Sequence, residues 1–376
     1  MDPITHAASG ALAMLVLPVR PATRWAVPLA ALAASAPDLD VLCGWSPLLA
    51  LQTHRGFTHA LAFAPLWGLL LALLMFPLWR RKKDAAGAET CAAAANLATH
   101  CTENSDREPA AAPSAPCAAS SAGLWRFRTV WGFAVCMLVL HIWLDAVTTY
   151  GTLALLPFSD FRVRGNALFI IDIWLTMPLL AALLLRRRPA AVLAGLLWVF
   201  FYPAGMIAVH EWHSIQANAA LRRAENVVLP DVLAPLRWRV LSQQDGVVRA
   251  RGMDWRGRLE APDTTLPAAP APLLDALAAQ DASCLAFRRF SLLPVLRHEE
   301  DGAWLLYDLR FGTSQPWVRD MMPAFIRQPS PFQLRAQLRP DGSVEAARLQ
   351  YAAKDSGWQP PRAPLPQGWG AAFGLY

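Results

Sequence analysis

The chain has 376 residues, of which 55% are hydrophobic and only 16% charged, with 16 tryptophans and a mean hydropathy of +0.28. A soluble domain carries about 25% charged residues, so the composition points to an integral membrane protein with aromatic anchors at the water boundary. The net charge of +6 does not signal nucleic acid, because the basic residues flank apolar runs, and six cysteines without a CxxC pair exclude a zinc ribbon or disulfide framework.

Residues 7–19 and 25–36 are apolar but shorter than the roughly 20 residues a full span needs, and read as a tilted or re-entrant pair. No Lys or Arg precedes Arg20, so no secretory signal peptide is expected. Residues 60–79 form a cleaner span, with Thr58 expected as its N-cap and Arg80-Arg81-Lys82-Lys83 closing it. Residues 129–150, 168–185 and 190–209 are further candidates, the second ending at Arg186-Arg187-Arg188. The expected fold is a membrane α-helical bundle of five or six apolar segments, divided into residues 1–83 and 125–209. Between them, residues 84–124 are rich in Ala, Ser, Pro and Thr and read as a flexible cytoplasmic loop, with His100 and the idle thiols Cys91, Cys101 and Cys117.

Residues 210–376 change texture. Alternating segments flank Asp245-Gly246, Asp301-Gly302 and Asp341-Gly342, each the signature of a β-hairpin. A Pro- and Ala-rich connection near 261–272 and a short helix at 273–280 complete a smaller, mainly antiparallel β (α+β) domain. Placing Arg80–Lys83 in the cytoplasm puts Arg20, Arg24, Arg126, Arg128 and Arg186–Arg188 on the same side and the C-terminal domain in the periplasm. The same alternation brings His6, Asp38, Asp40, His54, His59, Asp145 and Asp172 to the outer ends of their segments, with His141 one turn deeper.

Ionisable groups at membrane depth are costly and mark function. His141 and Asp145, spaced i and i+4, share a helix face, so they can chelate one ion or form a ligand with its orienting carboxylate. The competing reading is a buried His–Asp hydrogen bond between helices. His54 and His59 share a site if Gly56 permits a turn between them, which brings Arg55 near the metals, its fork suited to a phosphate. Lipid headgroup contact is the alternative for Arg55. Asp38 and Asp40 can bind or bridge metals, or cap a helix starting near Val41. Asp172 is a carboxylate inside an apolar run, while His210, Glu211 and His213 mark the water boundary.

Four histidines (His6, His54, His59, His141) and four carboxylates (Asp38, Asp40, Asp145, Asp172) exceed a single tetrahedral zinc. They suggest two or more metal ions, which suits phosphoester hydrolysis by a metal-activated water. Asp38 or Asp40 would serve as base or bridge, and Arg55 would hold the phosphate. Membrane lipids and a small-molecule or lipid phosphoester are the expected partners. No Gly-x-Ser-x-Gly elbow, P-loop or dinucleotide fingerprint occurs. A transporter or metal-handling protein using the same ligands, and a non-catalytic anchor for the β-domain, stay open. Clustering at one face rather than the midplane argues against transport.

The combination of Ile4-Thr5-His6, Pro37-Asp38-Leu39-Asp40, His54-Arg55-Gly56-Phe57-Thr58-His59 and His141-x3-Asp145-x2-Thr148-x-Tyr150-Gly151 resembles the membrane-bound metal-dependent hydrolase family typified by YdjM and YfhP. These motifs cover about residues 4–175, and Pro235–Arg239 and Tyr307–Gly312 look like the YfhP-type extension. The resemblance implies a multi-pass protein of the bacterial inner membrane. It also implies a distant similarity to zinc-dependent phospholipase C, an all-helical enzyme with three zinc ions, and hence two or three divalent ions here, zinc by preference. On that resemblance His141 and Asp145 match a His-x3-Asp ligand pair, with His6, Asp38, His54 and His59 as further ligands. The second pair of those enzymes, His-x3-Glu, has no counterpart here, since His210 and His213 lack the spacing.

Overall fold

The structure is a computed structural model that describes residues 1–80 and 126–364, apart from residues 19, 22, 43, 223, 224, 233 and 322–329. The expected loop at 84–124, with His100, Cys91, Cys101 and Cys117, lies outside the described residues, as do Arg81, Lys82 and Lys83.

The membrane half is built around α1 (Pro3–Val16). Asp2 caps it by accepting from the Thr5 amide at 3.0 Å, and Pro3 fits the first turn, where no amide donor is needed. Its Ala-, Ser- and Gly-rich sequence leaves it buried along most of its length. A Cβ on Gly10 would lie 2.4 Å from the Ala30 carbonyl oxygen and 2.6 Å from Ala34 Cβ, so α1 and α2 (Ala26–Ser35) meet backbone to backbone. Small residues permit that approach in a membrane bundle, where dispersion rather than water exclusion drives helix contact.

A short helix, α3 (Pro47–Thr53), leads to α4 (Ala64–Arg80), and α5 (Phe127–Ala146) returns against it. The last two helices of the bundle are α6 (Ile173–Leu184) and α7 (Pro189–Ala220). Three helical stretches are long and apolar enough to cross a membrane: Leu61–Trp79, Phe127–Ala146 and Pro189–Ala220. The expected five or six segments therefore become, among the described residues, three spans of full length, with α1, α2 and α6 as shorter apolar helices packed beside them. The segment at 168–185 shrinks to 12 residues because Asp172 starts the helix rather than lying within it. The segment at 190–209 grows to 32 residues, about 48 Å of helix, against about 30 Å of hydrocarbon.

The C-terminal end of α7 leads into the C-terminal domain. Strands β1 (Glu225–Pro230), β2 (Arg237–Gln244), β3 (Val247–Asp254) and β4 (Leu259–Pro267) form an antiparallel sheet in sequential order. A second sheet orders β5 (Pro294–His298), β6 (Trp304–Asp308), β7 (Phe332–Leu338), β8 (Val344–Tyr351) and β9 (Lys354–Asp355). The three hairpins expected from their Asp-Gly turns are present, and positive φ at both Asp245 (53°) and Gly246 (73°) suits the tight β2–β3 turn. The Pro- and Ala-rich stretch is mostly not a connection but β4. It lies at the sheet edge, where Pro262 is tolerated and the register slips near Arg251. Two helices follow, α8 (Ala271–Ala278) near the expected position and an unforeseen α9 (Ala282–Phe290), capped by Asp281.

Period-two alternation on the second sheet serves two cores. Val295, Leu305 and Tyr307 face Leu241, Val248 and Ala250 of the first sheet, whereas Leu306, Leu334 and Leu349 pack on Phe287 and Phe290 of α9. The second cluster continues into Leu51 of α3 and Tyr150, so the domain closes against the same end of the bundle as the histidines. His210 and His213 sit instead where α7 meets the first sheet: His210 Nε2 lies 3.1 Å from the Val228 carbonyl, and His213 stacks on Trp238 at 4.7 Å.

Candidate metal centre

The α1–α2 contact at Gly10 brings His6, one turn earlier on α1, to the turn that follows α2. That turn is a 3-10 segment, Ala36–Leu42, and it carries Asp38 and Asp40. No helix starts at Val41, so the double-Asp cap of the simplest sequence reading is not formed. His141 and Asp145 come from the last two turns of α5, and His59 from a 3-10 turn just before the span that begins at Leu61.

Four of these side chains converge. One ligand atom each from Asp38, His59, His141 and Asp145 lies within 4.8 Å of all the others, and the last three residues are buried. The Nε2 atoms of His59 and His141 are 3.0 Å apart. Asp145 Oδ2 lies 3.2 Å from the first and 3.4 Å from the second, and Asp38 Oδ1 lies 3.6 Å from both.

Hydrogen bonds on the far side of each ring assign the tautomers. His141 Nδ1 is 2.7 Å from the Ala34 carbonyl, which only accepts, so Nδ1 carries the proton. The Thr58 hydroxyl donates to Asp40 Oδ2 at 2.8 Å, leaving its lone pairs to accept from His59 Nδ1 at 2.9 Å. Both Nε2 atoms then turn lone pairs toward two carboxylates. Four converging acceptors repel one another unless a cation sits among them, and the mixed nitrogen and oxygen set suits zinc or a similar divalent ion. Without one, His59 is driven to hold the charge as a proton. Burial opposes its ionisation, but hydrogen bonding to Asp145, Asp38 and Asp40 prevails and raises it to about 10.

The remaining candidates surround this set. His6 stacks on His141 at 3.7 Å, with Nε2 3.3 Å from Asp145 Oδ1 and 3.9 Å from Asp38 Oδ2. Neither of its ring nitrogens completes a hydrogen bond. Asp40 is an orienting hub rather than a member of the four: His54 Nδ1 meets it at 2.8 Å, and the Arg55 amide donates to it at 3.1 Å. Burial works against that carboxylate's charge, yet the hydrogen bonds from His54 and His59 hold it well below the usual range. His54 touches Asp40 and the edge of Tyr150, not the four converging atoms. Arg55 does point inward, with Nη2 3.0 Å from Asp145 Oδ1, Nη1 donating to Thr148 at 2.9 Å, and its guanidinium over the Tyr150 ring. The Met1 ammonium also meets Asp145.

Two expectations need correction. Asp172 is not part of the cluster: it caps α6 through the Leu175 amide at 3.0 Å and accepts from the Tyr202 hydroxyl at 3.1 Å. Thr58 does not cap the following helix, because its hydroxyl is taken by Asp40 and His59. The turn between His54 and His59 also works differently from the simple reading. The left-handed residue is Arg55 (φ 57°), while Gly56 is needed because a Cβ there would meet the Thr53 carbonyl oxygen at 2.9 Å. The sequence reading assigned no part to Gly10 or to Tyr351, whose hydroxyl meets that of Tyr150 at 2.6 Å. For Gly10 the available signal was its place among small residues one turn from His6; Tyr351 carried none.

The chain is 24% identical over 327 residues to the uncharacterized protein YfhP of Bacillus subtilis, covering 83% of this chain and 85% of that protein. No solved structure matches it. A family model described as YdjM inner membrane protein matches residues 1–213, the stretch that contains every residue of the cluster. The chain belongs to the YdjM inner membrane protein family.

Proposed function

We propose that the protein is an integral inner-membrane hydrolase that uses divalent ions, zinc by preference, to cleave the phosphoester of a lipid at the periplasmic face. The observation that carries the reading is the convergence of bare imidazole and carboxylate acceptors from Asp38, His59, His141 and Asp145 at one end of the spanning helices. Asp38, His59, His141 and Asp145 would hold a divalent ion, and Asp38 and Asp145 each turn their other oxygen toward His6. Bound there, divalent ions supply Lewis acidity and acidify water at neutral pH.

The chain's own residues do the rest. Asp38 is the cluster member that reaches solvent, at 17% side-chain exposure, so substrate arrives past it. Arg55 brings a fixed positive charge to the phosphate, held by Thr148 and Tyr150. Asp40 keeps His54 and His59 in orientation. A lipid substrate is favoured by an apolar groove of about 410 Å³ whose polar end is formed by Asp40, Thr53 and Thr58 and whose walls include Phe57, Trp67 and Leu70. It runs along a spanning helix, so an acyl chain can enter sideways from the bilayer. The excess of arginines at the other end (Arg20, Arg24, Arg126, Arg128 and Arg186–Arg188) supports a cytoplasmic placement of that end.

Elemental analysis of detergent-purified protein, followed by assay of phospholipid and soluble phosphodiester hydrolysis, tests the reading. Two or more equivalents of zinc, lost in His141→Ala together with any hydrolysis, is the expected result. Wild-type protein that takes up no metal on reconstitution would overturn it.

A further inference from the structure

A second polar cavity, of about 250 Å³, adjoins the metal centre through Tyr150. Its walls come from three parts of the chain: Gln52 on α3, Asp160, Arg162 and Arg164 on the loop after Tyr150, and Arg289 on α9. Three guanidinium groups therefore line a space with one carboxylate, and that carboxylate, Asp160, is mostly exposed and 3.6 Å from Arg289. Arg162 donates to Gly151 and Leu51, and Arg164 donates to Phe290 at 3.2 Å. The Phe290 carbonyl is shared with Arg310, whose own charge is paired with Asp308 at 3.3 Å.

Arg164 is the group this arrangement serves least well. Its buried Nε has no hydrogen-bond partner. Burial, then the nearby charges of Arg310 and Arg162, push its ionisation down to about 9. Like charges gathered in a partly dry cavity are costly unless an anion neutralises them. Guanidinium forks match the oxygens of phosphate in a paired geometry that an ammonium cannot reproduce. The loop that supplies Arg162 and Arg164 also exposes Phe158 and Phe161, at 86% and 65%, as aromatic anchors do at headgroup depth.

We propose that this cavity is a phosphate-binding site, separate from the metal centre, that ties the membrane half to the C-terminal domain through a phosphate-bearing anion. The inference does not depend on the hydrolase reading, because none of its residues belongs to the four converging ligands. Two sources can supply the group, an anionic lipid headgroup or free phosphate.

The test uses full-length protein in a neutral detergent. Equilibrium dialysis with radiolabelled inorganic phosphate reads the soluble source. Native mass spectrometry after addition of phosphatidylglycerol or phosphatidylcholine reads the lipid source. Whichever ligand binds wild type, its affinity should fall at least tenfold in Arg164→Gln, less in Arg164→Lys, and not at all in His141→Ala. Retention of phosphatidylglycerol without competition from phosphate assigns a lipid; the reverse pattern assigns free phosphate. Failure of wild type to bind either probe, equal binding by Arg164→Gln, or loss of binding in His141→Ala would each overturn the proposal. Should Arg164→Gln not fold, Arg289→Gln on the outer wall gives the same reading with the same expected direction.

Discussion

Asp308 in the C-terminal domain and Asp145 in the membrane half are both fully buried aspartates beside an arginine, yet their surroundings differ in kind. Asp308 accepts from the Leu292 and Arg310 amides, both at 2.9 Å, and pairs with the Arg310 side chain at 3.3 Å. Asp231 follows the same rule with Val232, Thr313 and Ser314, and Arg239 ends on the Leu309 carbonyl. In each case a charge meets complementary backbone or hydroxyl groups and fixes a turn against a sheet. Asp145 has the Met1 ammonium and Arg55 on one oxygen, but its Oδ2 faces the Nε2 atoms of His59 and His141 and completes no hydrogen bond. Buried polarity is structural where donors and acceptors match. It points to a ligand where acceptors are massed against each other.

That contrast makes opposite predictions for the two aspartates. Asp308→Ala strips the partner from a buried Arg310, and breaking such a pair costs about 3–5 kcal/mol. The C-terminal domain should lose cooperative melting, while metal uptake by the membrane half persists. A variant that melts like wild type would show that the pairing is not structural. At the cluster, His59→Gln should abolish bound metal. Chelation should lower the melting temperature of wild type but leave that of His59→Gln unchanged. An ion at 100 times its dissociation constant stabilises by about 2.7 kcal/mol, which sets the size of the wild-type shift. Equal response of both proteins to chelator would dissolve the distinction.

A smaller effect is expected one layer out. Asp40→Asn keeps the shape but weakens the acceptor that orients His54 and His59, and loss of such a partner costs about 10–100-fold in metal affinity. Competition with a coloured chelator measures it. An affinity unchanged from wild type would demote Asp40 to a turn residue.

The sequence exposed the membrane half's chemistry because an imidazole or carboxylate inside an apolar run is visible without knowing the fold. His6, Asp38, His59, His141 and Asp145 all stood out in that way, and all come together. Asp172 stood out for the same reason and misled, since a helix cap and a metal ligand look alike until the donor is known. Asp40 and His54 were expected as metal ligands, but they stand outside the four converging residues, and their role as supports depends on hydrogen bonds made across the turn. In the C-terminal domain the Asp-Gly turns announced three hairpins, whereas β4 was hidden by its prolines and α9 by its basic, aromatic sequence. Burial of Asp308 and Arg310 left no trace in the residue string, because charges satisfied by backbone look like surface charges.

Tyr351 is the finest probe of how far the two regions depend on each other. Its hydroxyl meets Tyr150 across 201 residues of sequence, and Tyr150 in turn lies under Arg55 and beside His54. Burial and the neighbouring Tyr150 keep its phenol well above its ordinary value, so it is a neutral hydrogen-bonding partner at any working pH. Tyr351→Phe removes one neutral hydrogen bond and leaves the ring packing, a cost of about 1 kcal/mol. If the C-terminal domain is only docked, the variant should melt slightly earlier and bind metal as wild type does. If the domain helps hold Arg55 in place, metal affinity should be kept while turnover of a phosphoester falls, because Arg55 would act on substrate rather than on the ion. Measuring affinity and turnover on the same preparation separates these outcomes, and a change in neither would mean that the Tyr150–Tyr351 contact carries no information between the two halves.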